Sequence, residues 1–252
     1  MRRRLTLLLW GALALIPSVA PAATRLPAFE PGGQAMVRSV TDGAEMVLED
    51  GRTLRLAGID APRPRTPLAE RAKAALEKLL LGREVELRYA GNRRDRHGRV
   101  IAQLFAGRRW VQGELLSRGL ARVAGSADNR LGLAEMLARE AKARKARRGL
   151  WRDPFYAVRQ AEEARRFAGS FQLVEGRIVD GATVDGQVFL NFAEDWRHAF
   201  SLRFATETIR LFRAEGIDVM ALRGERVRVR GWIHGGERPT IDVTFPEQIE
   251  QL

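Results

Sequence analysis

The chain has 252 residues, 45% apolar and 29% charged, enough for two small domains of ordinary globular composition. It contains no cysteine, which excludes disulfides, thiolate-bound metal, a cysteine nucleophile and a lipobox anchor. Its three histidines, His97, His198 and His234, are too scattered for a zinc site. The formal charge of +12 attracts polyanions and speeds encounter with them at low salt.

In chain order, Arg2, Arg3 and Arg4 precede an apolar run over residues 5–16, which Pro17 breaks before Ala20-Pro21-Ala22. This pattern reads as a cleavable secretory signal over residues 1–23, too short to span a bilayer. A periplasmic or secreted protein is expected. No later apolar run is long enough to span, so no stable membrane insertion is expected after processing. The remaining charge is uneven. Residues 171–252 hold ten basic against thirteen acidic side chains, whereas residues 24–170 hold 30 against 18.

Short strands are expected at residues 36–40, 46–48 and 53–56, separated by Asp42-Gly43 and Asp50-Gly51 turns. Thr66 then caps a helix with Pro67 at its first position, Leu68, Ala72, Ala75, Leu76 and Leu79 along one face, and Gly82 as the stop. Two strands follow at residues 84–89 and 99–105. Helices are expected at 111–118, ended by Gly119, and at 131–148, ended by Gly149. Five strands with helices inserted late give an OB-type barrel over residues 34–153. Residues 154–169, polar and alanine-rich, read as a helical linker.

Residues 170–252 return to strands, at 177–179, 188–190, 200–204 and 225–232. Val179-Asp180-Gly181-Ala182 echoes Val40-Thr41-Asp42-Gly43-Ala44, so a second, small OB-like β domain is expected. The fold class is therefore mainly β with helices. Arg226-Val227-Arg228-Val229-Arg230 alternates with period two, placing the valines inward and the arginines outward with Trp232. That face suits either solvent or single-stranded nucleic acid. The basic run at 139–148 reads either as a nucleic-acid stripe or as a solvated helix face.

Four segments then carry a resemblance: TDGAEMVLEDGRTLRLAGIDAP, RDRHGRVIAQLF, WVQGELLSRGLARV and AEMLAREAKARKARRGLW. In this order and spacing they are similar to the thermonuclease (staphylococcal nuclease-like) family over about residues 36–153. The resemblance implies calcium-assisted hydrolysis of a phosphodiester in DNA or RNA. Arg55 and Arg99 match the family's phosphate-binding arginines. Asp60 matches a calcium carboxylate, with the Ala61 carbonyl beside it.

Two positions depart from the family pattern. Ala44 stands where a calcium-binding Asp is usual, and Arg63 stands where the general-base Glu is usual. Glu45 points to the opposite face of its strand from Ala44, and Glu70 lies in the following helix. Losing a general base typically costs about 10²–10⁴-fold. Calcium is the one cofactor implied, and both departures weaken that expectation. The leading expectation is a catalytically impaired member that binds the nucleic-acid backbone through Arg55, Arg63 and Arg99. An active calcium-dependent nuclease with carboxylates drawn from elsewhere, and an envelope protein-interaction module, are the alternatives.

Overall fold

The computed structural model describes residues 26–195, 197–236 and 238–252; the expected signal, residues 1–23, lies outside them. The first unit contains β1 (Glu30–Val40), β2 (Glu45–Leu48), β3 (Thr53–Leu56), β4 (Ile59–Asp60), α1 (Pro67–Leu80), β5 (Glu84–Tyr89), β6 (Val100–Ala106), β7 (Arg109–Trp110), α2 (Val111–Ser117), β8 (Arg122–Val123) and α3 (Leu133–Lys145). β1 pairs antiparallel with β2 and β5, β2 with β3, and β5 with β6. A parallel pairing of β3 with β6 closes these strands into a barrel.

Period-two patterning drives the closure. Met46, Leu48, Leu54, Leu56, Val85 and Leu87 point inward and are fully buried, while the residues between them remain half-buried or exposed. α1 begins as expected, with the Thr66 side chain accepting from the Ala69 N–H at 3.2 Å, and lays Ala72, Leu76 and Leu80 on the barrel. The last helix is shorter than expected, and a 3-10 turn at Gly149–Arg152 follows it.

Gly119 and Gly149 do more than stop helices, because the two backbones cross. A Cβ on Gly119 would lie 2.2 Å from the Arg148 carbonyl oxygen, and one on Gly149 would lie 2.1 Å from that of Gly119. Both also have positive φ, 66° and 52°. Gly119→Ala is expected to lower stability by about 1–3 kcal/mol, read as a shift in denaturant midpoint at constant m-value.

The second unit contains β9 (Arg159–Gln160), β10 (Phe171–Arg177), β11 (Asp180–Val184), β12 (Gln187–Asn191), β13 (Ser201–Phe204), α4 (Thr206–Ala214), β14 (Arg226–His234), β15 (Thr240–Val243) and β16 (Ile249–Gln251). β11, β12 and β13 form an antiparallel meander, and β13 pairs parallel with β15. β14 joins β15 to β10 by antiparallel pairing. Only Ile178 and Val179 separate β10 from β11, so the sheet curls back on itself. Counting β10 and β11 as one bent strand, the pairing order repeats that of the first barrel, with α4 at the place of α1.

Several expectations are corrected. Residues 154–169 form no continuous helix: two 3-10 turns, Pro154–Tyr156 and Ala161–Phe167, flank β9. Residues 178–179 lie in the bend between strands, and the strand expected at 177–179 ends at Arg177. The Asp180-Gly181 echo falls inside a strand, opposite Asn191 and Leu190. The hairpin equivalent to Asp42-Gly43 is turned instead by Asp185-Gly186, both at positive φ.

The arginine face of β14 is not uniformly outward. Arg230 is only 2% exposed and lies 2.8 Å from Glu140 of α3, itself 0% exposed. Its other arm reaches Glu250 at 2.5 Å. Arg144 and Arg228 also pair with Glu250, and Arg228 with Glu175. Within the run 139–148, Glu140 and Arg144 face the second sheet, whereas Lys142, Lys145, Arg147 and Arg148 remain exposed as a solvated face. Leu150, Trp151, Tyr156 and Leu173 bury together beside this network, and Phe245 joins the core of the first barrel.

The junction is expected to weaken in acid. Burial works to raise the Glu250 carboxyl, but the charges of Arg230 and Arg144 outweigh it and hold the group below its ordinary value of 4.5. A carboxylate depressed on folding contributes its stability above the unfolded pKa and loses it as pH falls through the folded one. The melting temperature is expected to stay flat from about pH 7 to about 5.5 and to fall below about 4.5, less steeply in Glu250→Gln.

Candidate phosphate site

The residues expected to bind phosphate sit at one edge of the first barrel. Arg55, on β3, lies opposite Glu45 on β2 and beside Ile101 on β6. It is half-buried, and among the described residues its side chain makes no ion pair or hydrogen bond. Arg99 immediately precedes β6. Its Nε donates to Asp95 Oδ2 at 2.7 Å, and its Nη1 reaches Glu45. Glu45 therefore lies between the two arginines, pairing with one by charge and with the other by strand register.

Asp95 organises this turn. Its Oδ1 accepts the backbone N–H of His97 at 2.9 Å and of Arg99 at 3.0 Å. Partial burial tends to raise its carboxyl, but hydrogen bonds from the Arg99 side chain and from both backbone N–H groups hold it below the ordinary 3.8. His97 is exposed in the turn.

Asp60 ends β4, which pairs with β8 and places Asp60 opposite Arg122. Arg122, 5% exposed, donates from Nε and Nη2 to Asp60 Oδ2 at 3.0 and 2.9 Å. Its Nη1 donates to the Phe171 carbonyl of β10 at 2.8 Å. The guanidinium lies 4.6 Å from the Phe171 ring centroid and 5.2 Å from that of Tyr156. The expected metal carboxylate is thus held by an arginine that also grips the second unit.

Arg63 is exposed, with its guanidinium 3.7 Å from the Phe155 ring centroid and its backbone N–H donated to the Tyr156 hydroxyl at 2.8 Å. Ala44 is 0% exposed at the end of the β1–β2 turn, where its N–H bonds Asp42 Oδ1 at 2.7 Å. Gly43 packs so closely that a Cβ there would lie 2.7 Å from the Ala72 methyl. Among the described residues, no group of three or more His, Cys, Asp or Glu could hold a metal ion. None of their helices is long and apolar enough to cross a membrane.

The structure brings Arg55, Glu45, Asp95 and Arg99 together, and separately joins Asp60 and Arg63 to the junction. Sequence reasoning missed Arg122, Tyr156 and the pairing of Glu45 with Arg99. The available signal for Arg122 was a lone arginine inside the apolar stretch Leu120-Ala121-Arg122-Val123-Ala124.

A closed five-stranded barrel with α1 between its third and fourth strands is an OB-type fold. Residues 53–153 match the staphylococcal nuclease homologue family, so the first unit is a staphylococcal nuclease-like domain. A probable staphylococcal-like nuclease CAN1 of Oryza sativa is 35% identical over 107 residues, 42% of this chain and 31% of that one. A thermonuclease of Staphylococcus intermedius is 33% identical over 100 residues, covering 36% of this chain and 60% of that one. A probable endonuclease LCL3 of Verticillium alfalfae is 30% identical over 173 residues, 63% of this chain and 58% of that one. The chain therefore spans from about a third to about three fifths of the length of these relatives.

Proposed function

We propose that this is an exported nucleic-acid-binding protein whose nuclease-type barrel grips the phosphate backbone and hydrolyses it poorly or not at all. The observation that carries this reading is the Arg122 fork on Asp60 Oδ2, at 2.9 and 3.0 Å. A carboxylate oxygen so engaged is a poor ligand for a hard dication, which needs several oxygen donors at once. Ala44 offers a buried methyl, and Arg63 offers positive charge in place of a base. These residues do not fit calcium, and no hydrolytic step is derived through it.

What remains suits phosphate. Arg55 carries a guanidinium with no protein partner among the described residues, and a guanidinium fork matches phosphate oxygens. Arg99 is held rigid by Asp95 and Glu45, and Arg63 by the Phe155 ring. The excess of basic groups over residues 24–170 supplies a favourable field. The relatives' names also support nucleic acid as the partner class.

The test pairs cleavage with binding. The mature protein is incubated with DNA and RNA in calcium or chelator, with Arg99→Ala as a contamination control. No cleavage above that control is expected, together with salt-sensitive binding whose salt slope falls by about one unit in Arg55→Ala. Calcium-dependent cleavage that disappears in Arg99→Ala would establish an active nuclease instead. Absence of both activities would leave a protein-interaction module. Export is checked by the N-terminal sequence of the protein recovered outside the cytoplasm, expected to begin near residue 24.

A further inference from the structure

The outer face of the second sheet carries a row of side chains that the phosphate site does not use. Strand register places Phe171 on β10 opposite Trp232 on β14. On β15, Asp242 contacts His234, two residues beyond Trp232 on the same face, at 3.4 Å. Asp242 is opposite Arg203 on β13, Arg203 is opposite Phe189 on β12, and Phe189 is opposite Ala182 on β11. Aromatic rings therefore flank a central ion pair, Arg203 to Asp242 at 2.6 Å. Adjacent strands are about 4.8 Å apart, so the row from Phe171 to Phe189 spans about 19 Å.

Trp232 is the exposed ring of the row, whereas Phe171 and Phe189 are half-buried and Phe171 also packs on the cluster at the junction. Trp232 is 59% exposed and makes no ring contact or ion pair among the described residues. At the far end, the Arg238 guanidinium lies 4.9 Å from the Phe189 ring centroid. Phe189, Ala182, Val184, Asn191, Asp180 and Arg238 line a largely apolar cavity of about 370 Å³. At the near end, Phe171 is the ring against which Arg122 lies. The row thus begins at the junction, beside the Arg122–Asp60 pair, and runs away from it.

We infer that this face binds single-stranded nucleic acid, stacking bases on Trp232 and Phe189 as the strand leaves the barrel arginines. The inference rests on the phosphate-binding reading and names its substrate class. A barrel of this pairing order offers ligands the face of its second and third strands and the loop between its fourth and fifth. Here these are β12, β13 and the loop holding Arg238. Base stacking on exposed aromatic rings is tolerant of sequence and needs unpaired bases, which a duplex does not present. The ion pair at the centre leaves the row nearly neutral. Attraction thus comes from the first barrel, while discrimination between single and double strands comes from the row. The arginines of β14 take no part, because Arg228 and Arg230 are held by glutamates.

The test is fluorescence anisotropy on the full mature chain, using labelled oligothymidine of about 12 nucleotides and a duplex of equal length. Tighter binding of the single strand is expected. Trp232→Ala should weaken it about 5- to 150-fold while leaving duplex binding unchanged. Trp232→Phe should restore most of the loss, and Phe189→Leu should weaken single-strand binding without lowering the melting temperature. Equal single-strand affinity in wild type and Trp232→Ala, with Arg55→Ala still weakening both ligands, would overturn this inference and leave the phosphate clamp. Loss on Trp232→Ala but not on Arg55→Ala would support the aromatic face and overturn the clamp. No binding by the wild-type chain would overturn both.

Discussion

Glu140→Ala is expected to destabilise the protein by about 3–5 kcal/mol, the scale for removing one partner of a buried ion pair. Arg230 lies 2.8 Å from Glu140 and is almost wholly enclosed, so its charge would lose a counter-charge with no water to replace it. The second loss is on the backbone. The Val123 N–H donates to Glu140 Oε1 at 2.8 Å and would be left unsatisfied. In a chain of this size the change corresponds to a fall in melting temperature of about 6–20 °C. Replacing both partners, Glu140→Leu with Arg230→Met, should recover only the part due to the uncompensated Arg230 charge, because the Val123 N–H stays unsatisfied and Glu250 keeps only Arg144 and Arg228. A fall below about 2 °C for Glu140→Ala would show that the network contributes little.

Arg122→Ala is expected to cost somewhat less, about 2–3 kcal/mol. Asp60 is a third exposed and can regain water, so its desolvation penalty is partly relieved. The losses that remain are the hydrogen bond to the Phe171 carbonyl and the contacts with the Phe171 and Tyr156 rings. Arg122→Lys should recover little, since an ammonium cannot donate two bonds to Asp60 while reaching Phe171. Although Arg122→Ala frees Asp60, calcium titration calorimetry should still register no binding. Ala44 and Arg63 would flank a single carboxylate, short of the six or more oxygens calcium takes. Heat of binding in this variant alone would mean that Arg122 is the chief obstacle to the metal.

Local signals made much of the first barrel legible. Asp42-Gly43 and Asp50-Gly51 fix hairpins within four residues, and Thr66-Pro67 fixes the start of α1 to the residue. Arg55 and Arg99 were singled out by the family resemblance, and those turns explain only the strand positions they occupy. The second unit was harder, since alternation in Arg226-Val227-Arg228-Val229-Arg230 reveals two faces but not what covers them. The covering residue, Glu140, comes from a helix more than eighty positions earlier. Composition erred in the same way at residues 154–169: alanine and charge favour a helix locally, but β9 is drawn into parallel pairing with β10. Arg122 escaped notice because its partners, Asp60 and Phe171, are distant in sequence.

The bond from Arg122 to Asp60 has a consequence for how this molecule can change. Arg122 donates to Asp60 in the first unit and to the Phe171 carbonyl in the second, so a substitution at position 60 alters what holds position 122 and, through it, β10. Positions in the two units are thereby coupled, and changes at Asp60 and Phe171 are expected to be non-additive in a double-mutant cycle although the two residues lie more than a hundred positions apart.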